Sequence, residues 1–172
     1  GFDFEKVSLV GIIDADSMLN YPDFRSHERA FQLLSQVSGR AGRKEKQGAV
    51  ILQTYNPEHE IINFVKQHSY SKFYSLQISE RKSFNYPPFS RLLFVKFRHT
   101  DHQVLDSVIE KFSSFLRKSF KDRVLGPEYP LVSKVKNYYI KSIMLKIEAD
   151  KSFSEAKNII SFQAYELLKK FV

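Results

Sequence analysis

The chain has 172 residues, 42% of them hydrophobic, with sixteen Phe, nine Tyr and no Trp. That is enough for one large domain or two small ones around aromatic-rich cores. Cysteine is absent, which excludes disulfides and cysteine-held zinc, and the five His show no metal-ligand spacing. A formal charge of +8 points to an anionic partner, nucleic acid first, although a charged surface also serves solubility alone. No apolar run nears the roughly 18 residues of a membrane span, and there is no signal-peptide pattern. The expected setting is a reducing, cytoplasmic one.

Gly1-Phe2-Asp3-Phe4 lacks an initiator Met and leads almost at once into a strand, which reads as a cut inside a larger protein. Residues 7–13 form a near-continuous apolar run, the pattern of a strand covered on both faces. It stops at Asp14-Ala15-Asp16. In open α/β sheets ligands sit beyond the carboxyl ends of such strands, so Asp14 and Asp16 are candidate site residues. Capping a turn is their equally available role.

A loop over 18–24 carries Pro22. Ser26 is placed to cap a helix over 27–38, with Ala30, Phe31, Leu33, Leu34 and Val37 on its apolar side. The helix runs out through Gln36-Val37-Ser38-Gly39-Arg40-Ala41-Gly42-Arg43, a Q-x-x-G-R-x-G-R pattern. Arg40 and Arg43 are each preceded by a glycine. Their planar guanidiniums suit phosphate oxygens, and the glycines permit close approach. Such a pair could stabilise charge on a transferring γ-phosphate. A helix C-cap with arginines at its negative end is the other reading. After a charged turn over 44–48, residues 49–55 read as the next strand. The unit is βαβ, with the arginines at one edge of a parallel sheet.

Asn56-Pro57-Glu58-His59-Glu60 predicts a helix start with Asn56 as cap and Pro57 at the first helical position. A second helix is expected over 69–82. Tyr86-Pro87-Pro88-Phe89 is a stiff connector. Beyond it, 91–99 alternates as a strand and Asp101 starts a helix to Phe120. Residues 124–132 read as an irregular strand and 137–149 as a longer one. Ser152 and Glu155 form a capping-box signature ahead of a last helix. The order β-α-β-β-α lacks one strand of a ferredoxin-like sandwich. Lys134, Lys136 and Lys141 cluster with Tyr138 and Tyr139. If the extended conformation runs back through them, Lys134, Lys136 and Tyr138 share a side and offer anions a patch. A solvated strand edge is the alternative.

Taken together, the Asp14-Ala15-Asp16 strand ending, Asp23-Phe24-Arg25, Glu28-Arg29 and the 36–43 motif resemble superfamily-two helicases. With Gln53-Thr54, Asn56 to His59, Glu80-Arg81, Tyr86 to Phe89 and Leu125-Gly126-Pro127, the chain most resembles the bacterial replication-restart helicase family of primosomal protein N-prime (replication factor Y). The resemblance implies an α/β plus α+β chain. Residues 1–66 would be the end of the second RecA-like lobe, and 67–88 a helical, Pro-rich connector. Residues 89–172 would be a truncated ferredoxin-like domain that binds DNA and partners.

The resemblance also implies that Arg40 and Arg43 reach ATP held on the other lobe, with Gln36, Gly39, Asp14 and Asp16 coupling to it. Implied partners are branched and single-stranded DNA, the tail of single-stranded-DNA-binding protein and other primosome proteins, and the implied place is nucleoid-associated. No G-K-S or G-K-T phosphate loop and no zinc cysteines occur here. ATP, magnesium and zinc would belong to the part before Gly1, and none is expected on this piece. A non-enzymatic module for DNA or an acidic tail, or the end of another superfamily-two helicase, are the alternatives.

Overall fold

The computed structural model describes residues 7–39, 48–149 and 152–169. The protein is a mixed α/β chain that divides into two compact units, one up to Glu80 and one from Arg81 onward.

In the first unit, β1 (Leu9–Ile12) and β2 (Ala49–Leu52) pair in parallel, Leu9 opposite Ala49 and Ile12 opposite Leu52. Parallel strands need a crossover, and α1 (Ala15–Leu19) and α2 (Ser26–Ser38) lie within it. Two further helices follow, α3 (Glu60–Lys66) and α4 (Tyr70–Ser83). Leu19, Ala30, Phe31, Leu34, Ile61, Ile62, Val65 and Phe73 form the core, with Ile12 and Leu52 packed against it. The helix expected over 69–82 is α4, and its Phe73 stacks on Phe31 with centroids 4.2 Å apart.

Three expectations are corrected here. Among the described residues the apolar strand predicted to be covered on both faces is covered on one: Leu9 and, just past the strand, Ile13 are 55% and 82% exposed. The expected 18–24 loop begins inside α1, a five-residue helix whose Ala15 and Leu19 are buried one turn apart. Finally, α3 is not capped by Asn56. Residues 56–59 form a turn, His59 N–H donating to the Asn56 carbonyl, and the helix begins at Glu60. Its cap is the His59 ring, whose Nδ1 accepts from Ile61 N–H at 3.2 Å. Burial, then the neighbouring His27, pushes the His59 pKa down against the pull of Glu60 and Asp16. A lowered value keeps that nitrogen available as an acceptor.

The second unit contains β3 (Ser90–His99), α5 (His102–Phe120), β4 (Val124–Glu128), β5 (Lys134–Val135), β6 (Tyr138–Glu148) and α6 (Phe153–Leu168). The strand order is β3-β6-β4, antiparallel, with β5 also paired to β6. Among the described residues β3 pairs with β6 alone.

Both long helices start where the sequence places them. Asp101 accepts from Gln103 and Val104 N–H, and Ser152 from Glu155 N–H. Ile109, Phe112 and Leu116 of α5 and Ala156 and Ile160 of α6 share one core with Ile143, Leu145 and Ile147 of β6. The two helices therefore pack on the same side of the sheet.

The extended run expected through 134–138 is instead a hairpin. Val135 pairs with Tyr138, and Lys136 in the two-residue loop has a φ of 54°. The chain reverses there, so Lys134, Lys136 and Tyr138 do not line one side of a single strand.

Candidate functional site

Helix α2 buries Ala30, Phe31 and Leu34 and leaves Gln36 exposed on its last turn. Gly39 caps the helix with right-handed angles, φ −71° and ψ −10°, and its N–H bonds the Ser35 carbonyl. A Cβ there would meet Ser35 O at 3.5 Å and Gln36 O at 3.8 Å, ordinary contacts. The fold does not demand glycine at this position. Arg40 and Arg43 lie outside the described residues.

Asp14 and Asp16 stand at the carboxyl end of β1, where α1 begins. Asp14 adopts a left-handed conformation, φ 57°, and its Oδ1 accepts from Ser17 N–H at 3.1 Å. Asp16 uses both oxygens on the end of β2: one accepts from the Thr54 hydroxyl, the other from Tyr55 N–H, each at 2.9 Å. Ala15 N–H bonds the Gln53 carbonyl and Gln53 N–H the Ile12 carbonyl, at 3.0 and 2.9 Å. The Asp16 carboxylate fastens the adjoining ends of β1 and β2, and that of Asp14 caps α1. No group of three or more His, Asp or Glu among the described residues is arranged to hold a metal ion.

In the second unit the candidate basic residues separate. Side chains alternate along β6, and paired residues share a face. Tyr139 and Lys141 point to the helix side. Lys141 Nζ lies 2.7 Å from Asp106 of α5 and 4.6 Å above the Tyr129 ring, and the Tyr129 hydroxyl donates to the same carboxylate. Lys134 Nζ sits 4.6 Å above the Tyr139 ring. Tyr138 points to the other side, beneath the Arg98 guanidinium at 5.4 Å. Lys136 is in the hairpin loop. The predicted patch is thus split across the sheet, and Lys141 is only 12% exposed. Sequence reading missed Arg98 as a partner of Tyr138, because the two meet only through strand pairing. The alternation of Phe94, Lys96 and Arg98 against Leu93, Val95 and Phe97 was the available signal.

The ion pair makes a pH prediction. The hydrogen bond from Lys141 holds the Asp106 carboxyl below its ordinary 3.8, and the same bond raises Lys141 above 10.5. A depressed carboxyl contributes above its unfolded value and is lost as pH falls through its folded one. A raised lysine contributes below 10.5 and is lost as pH rises beyond it. The contact should persist from the ordinary carboxylate range to beyond pH 10.5. Carboxyl NMR of Asp106 should show titration below 3.8; a midpoint at or above 3.8 would count against the pairing.

A family model described as the primosomal protein N C-terminal domain matches residues 82–170. The chain belongs to that family. Replication restart protein PriA of Bacillus subtilis is 38% identical over 175 residues, which takes in the whole of this chain and 22% of that protein. The PriA of Synechocystis is 37% identical over 148 residues, 85% of this chain and 18% of its own. That of Borreliella burgdorferi is 35% identical over 166 residues, 94% of this chain and 24% of its own. The chain spans a quarter or less of the length of these curated relatives. The likeness extends beyond the matched domain into the first unit, which carries the 36–43 motif.

Proposed function

We propose that this chain is the C-terminal part of an ATP-dependent 3′ to 5′ DNA helicase that restarts stalled replication forks and directs primosome assembly. The observation that carries the reading is the likeness, along the whole of this chain, to part of a replication restart protein, which takes in the Q-x-x-G-R-x-G-R motif beginning in α2. The parallel β1–β2 pair with its helical crossover supports assignment of the first unit to the end of a RecA-like lobe. The β3-β6-β4 order, with both helices on one side, supports a ferredoxin-like second unit lacking one strand.

In this reading Arg40 and Arg43 neutralise charge on ATP held by the other lobe. The exposed last turn of α2 presents Gln36 towards the same solvent, and a glycine the fold does not need leaves room beside it. ATP with magnesium supplies the driving reaction and is bound by a part of the protein not included in this chain, as is zinc. Partners are branched and single-stranded DNA, the tail of single-stranded-DNA-binding protein and other primosome proteins, in the bacterial cytoplasm on the nucleoid.

The test is a helicase assay on a forked substrate. The intact protein should unwind it only with ATP and magnesium, while the purified 172-residue chain should release no phosphate from ATP. Failure of the intact protein to unwind the fork, or DNA-stimulated hydrolysis by the chain alone, would overturn the reading. A second reading, a DNA-binding module with no catalytic part, is favoured by the aromatic and basic residues on the second unit. It predicts fork binding by the intact protein without unwinding.

A further inference from the structure

We propose that the helix-free face of the β3-β6-β4 sheet is a platform for single-stranded DNA. This rests on the DNA-binding reading above and names the surface and the form of nucleic acid.

The argument begins with alternation along β3. Leu93, Val95 and Phe97 pack into the helix-side core, so Phe94, Lys96 and Arg98 face the other way. Their partners across β6 are Met144, Ser142 and Ile140. Neither α5 nor α6 covers this side, because both contribute to the opposite core. Phe94 is 54% exposed and Tyr138 44% exposed, an unusual outlay of aromatic surface, while at the Glu148 end of the same face Lys146 donates to the Phe84 carbonyl and lies 3.8 Å from the Tyr86 ring centre.

Base stacking explains that outlay. A ring presented flat on a strand can take any base, and cations beside it take the phosphates. Lys96 and Arg98 supply the cations and are exposed. Arg98 lies over the Tyr138 ring, 5.4 Å from its centre, so one cation of the track is held beside one of its rings. Register places Tyr138 one step beyond the His99–Tyr139 pair, so Phe94 and Tyr138 are about 20 Å apart along the strands. That span holds several nucleotides, with the Lys96 and Arg98 charges between its ends.

Carboxylates occupy the margins of this face. Glu128 pairs with Ser142 on the β4 side, and Glu148 lies at the far end, 3.5 Å from Arg123. The line from Phe94 past Lys96 and Arg98 to Tyr138 is the electrostatically favourable track. A duplex would present phosphates to the cations but no base face to Phe94, which is why the single strand is the better fit. An acidic peptide ending in apolar side chains is the competing occupant, and the test separates it.

The experiment titrates the whole chain into labelled oligo-dT, a labelled fork and a labelled acidic peptide with an apolar end, at two salt concentrations. Circular dichroism confirms that each variant is folded. Phe94→Leu and Tyr138→Leu together should weaken oligo-dT binding by about tenfold or more, since they remove the stacking rings but keep apolar bulk. Lys96→Glu with Arg98→Glu should do the same and reduce the salt slope by about two. Lys118→Glu with Lys157→Glu, the same charge change on the helix side, should cost less than about threefold.

Wild-type binding of oligo-dT that both face variants retain would overturn the platform and leave the DNA-binding reading standing. So would equal losses in the helix-side control, or losses confined to the peptide. Binding of the fork without oligo-dT would also defeat this proposal alone. If the wild-type chain bound none of the DNA, both would fall.

Discussion

Under the proposed function, replacing Arg43 with alanine in the intact protein is expected to lower ATP-driven unwinding by about 10³ to 10⁵, the range seen for arginines that reach a γ-phosphate from outside its own binding loop. DNA affinity should stay within a few-fold of wild type, because the loss is of charge stabilisation during phosphoryl transfer and not of contact with DNA. Arg40→Ala should behave nearly alike. Lysine should rescue poorly at either position, since an ammonium cannot reproduce the planar fork. Strand-separation rates on a forked substrate, measured beside equilibrium DNA binding, check this. If both alanine variants kept unwinding within about tenfold of wild type, the arginines would be doing no more than favouring the end of α2.

The second large effect concerns folding. Gly126→Ala should destabilise the second unit by about 2–4 kcal/mol. Gly126 has a φ of +90°, and a Cβ there would stand 2.9 Å from the Ser142 carbonyl oxygen and 3.1 Å from Glu128 N. Both obstacles are backbone atoms of paired strands, so neither can swing aside. The Gly126 carbonyl also accepts from the Arg117 guanidinium of α5, so displacement of this residue disturbs the helix contact too. The break in β4 register between Leu125 and Glu128 falls at this residue. Denaturant unfolding of the variant checks the figure. A loss below about 0.5 kcal/mol would mean that the strands shift freely at this point.

Much of the second unit was legible because its elements are long and their signals local. Asp101 and Ser152 cap helices where expected, and nineteen residues of α5 carry an unbroken apolar stripe. Short or chemically unusual features were not legible. Helix α1 has five residues, too few for a 3.6-residue period to stand out. The α3 cap is an imidazole nitrogen, which no usual cap pattern includes. The hairpin at Lys136-Asn137 puts a lysine at positive φ where glycine or asparagine is the common signal, so the turn reads as continued strand. That one turn decided the basic patch. With it, Lys134 goes to Tyr139 and Tyr138 goes to Arg98, a pairing set by register and not by proximity in sequence. At the first unit, Asp14 and Asp16 were readable as residues at a strand end. Their bonds to Ser17, Thr54 and Tyr55 depend on contacts that spacing does not encode.

The right-handed cap at Gly39 gives α2 a continuous rotational phase from Ser26 through its last residue. The azimuth of Gln36 is then fixed by Ala30, Phe31 and Leu34 in the core, as a pointer is fixed by its keyway. Each residue advances that azimuth by about 100°. Deleting or inserting one residue between Leu34 and Gly39 would swing the departing chain to another side of the helix while leaving the buried residues undisturbed. The number of residues between Leu34 and Gly39, more than their identity, therefore sets the direction in which Gly39 leaves the helix.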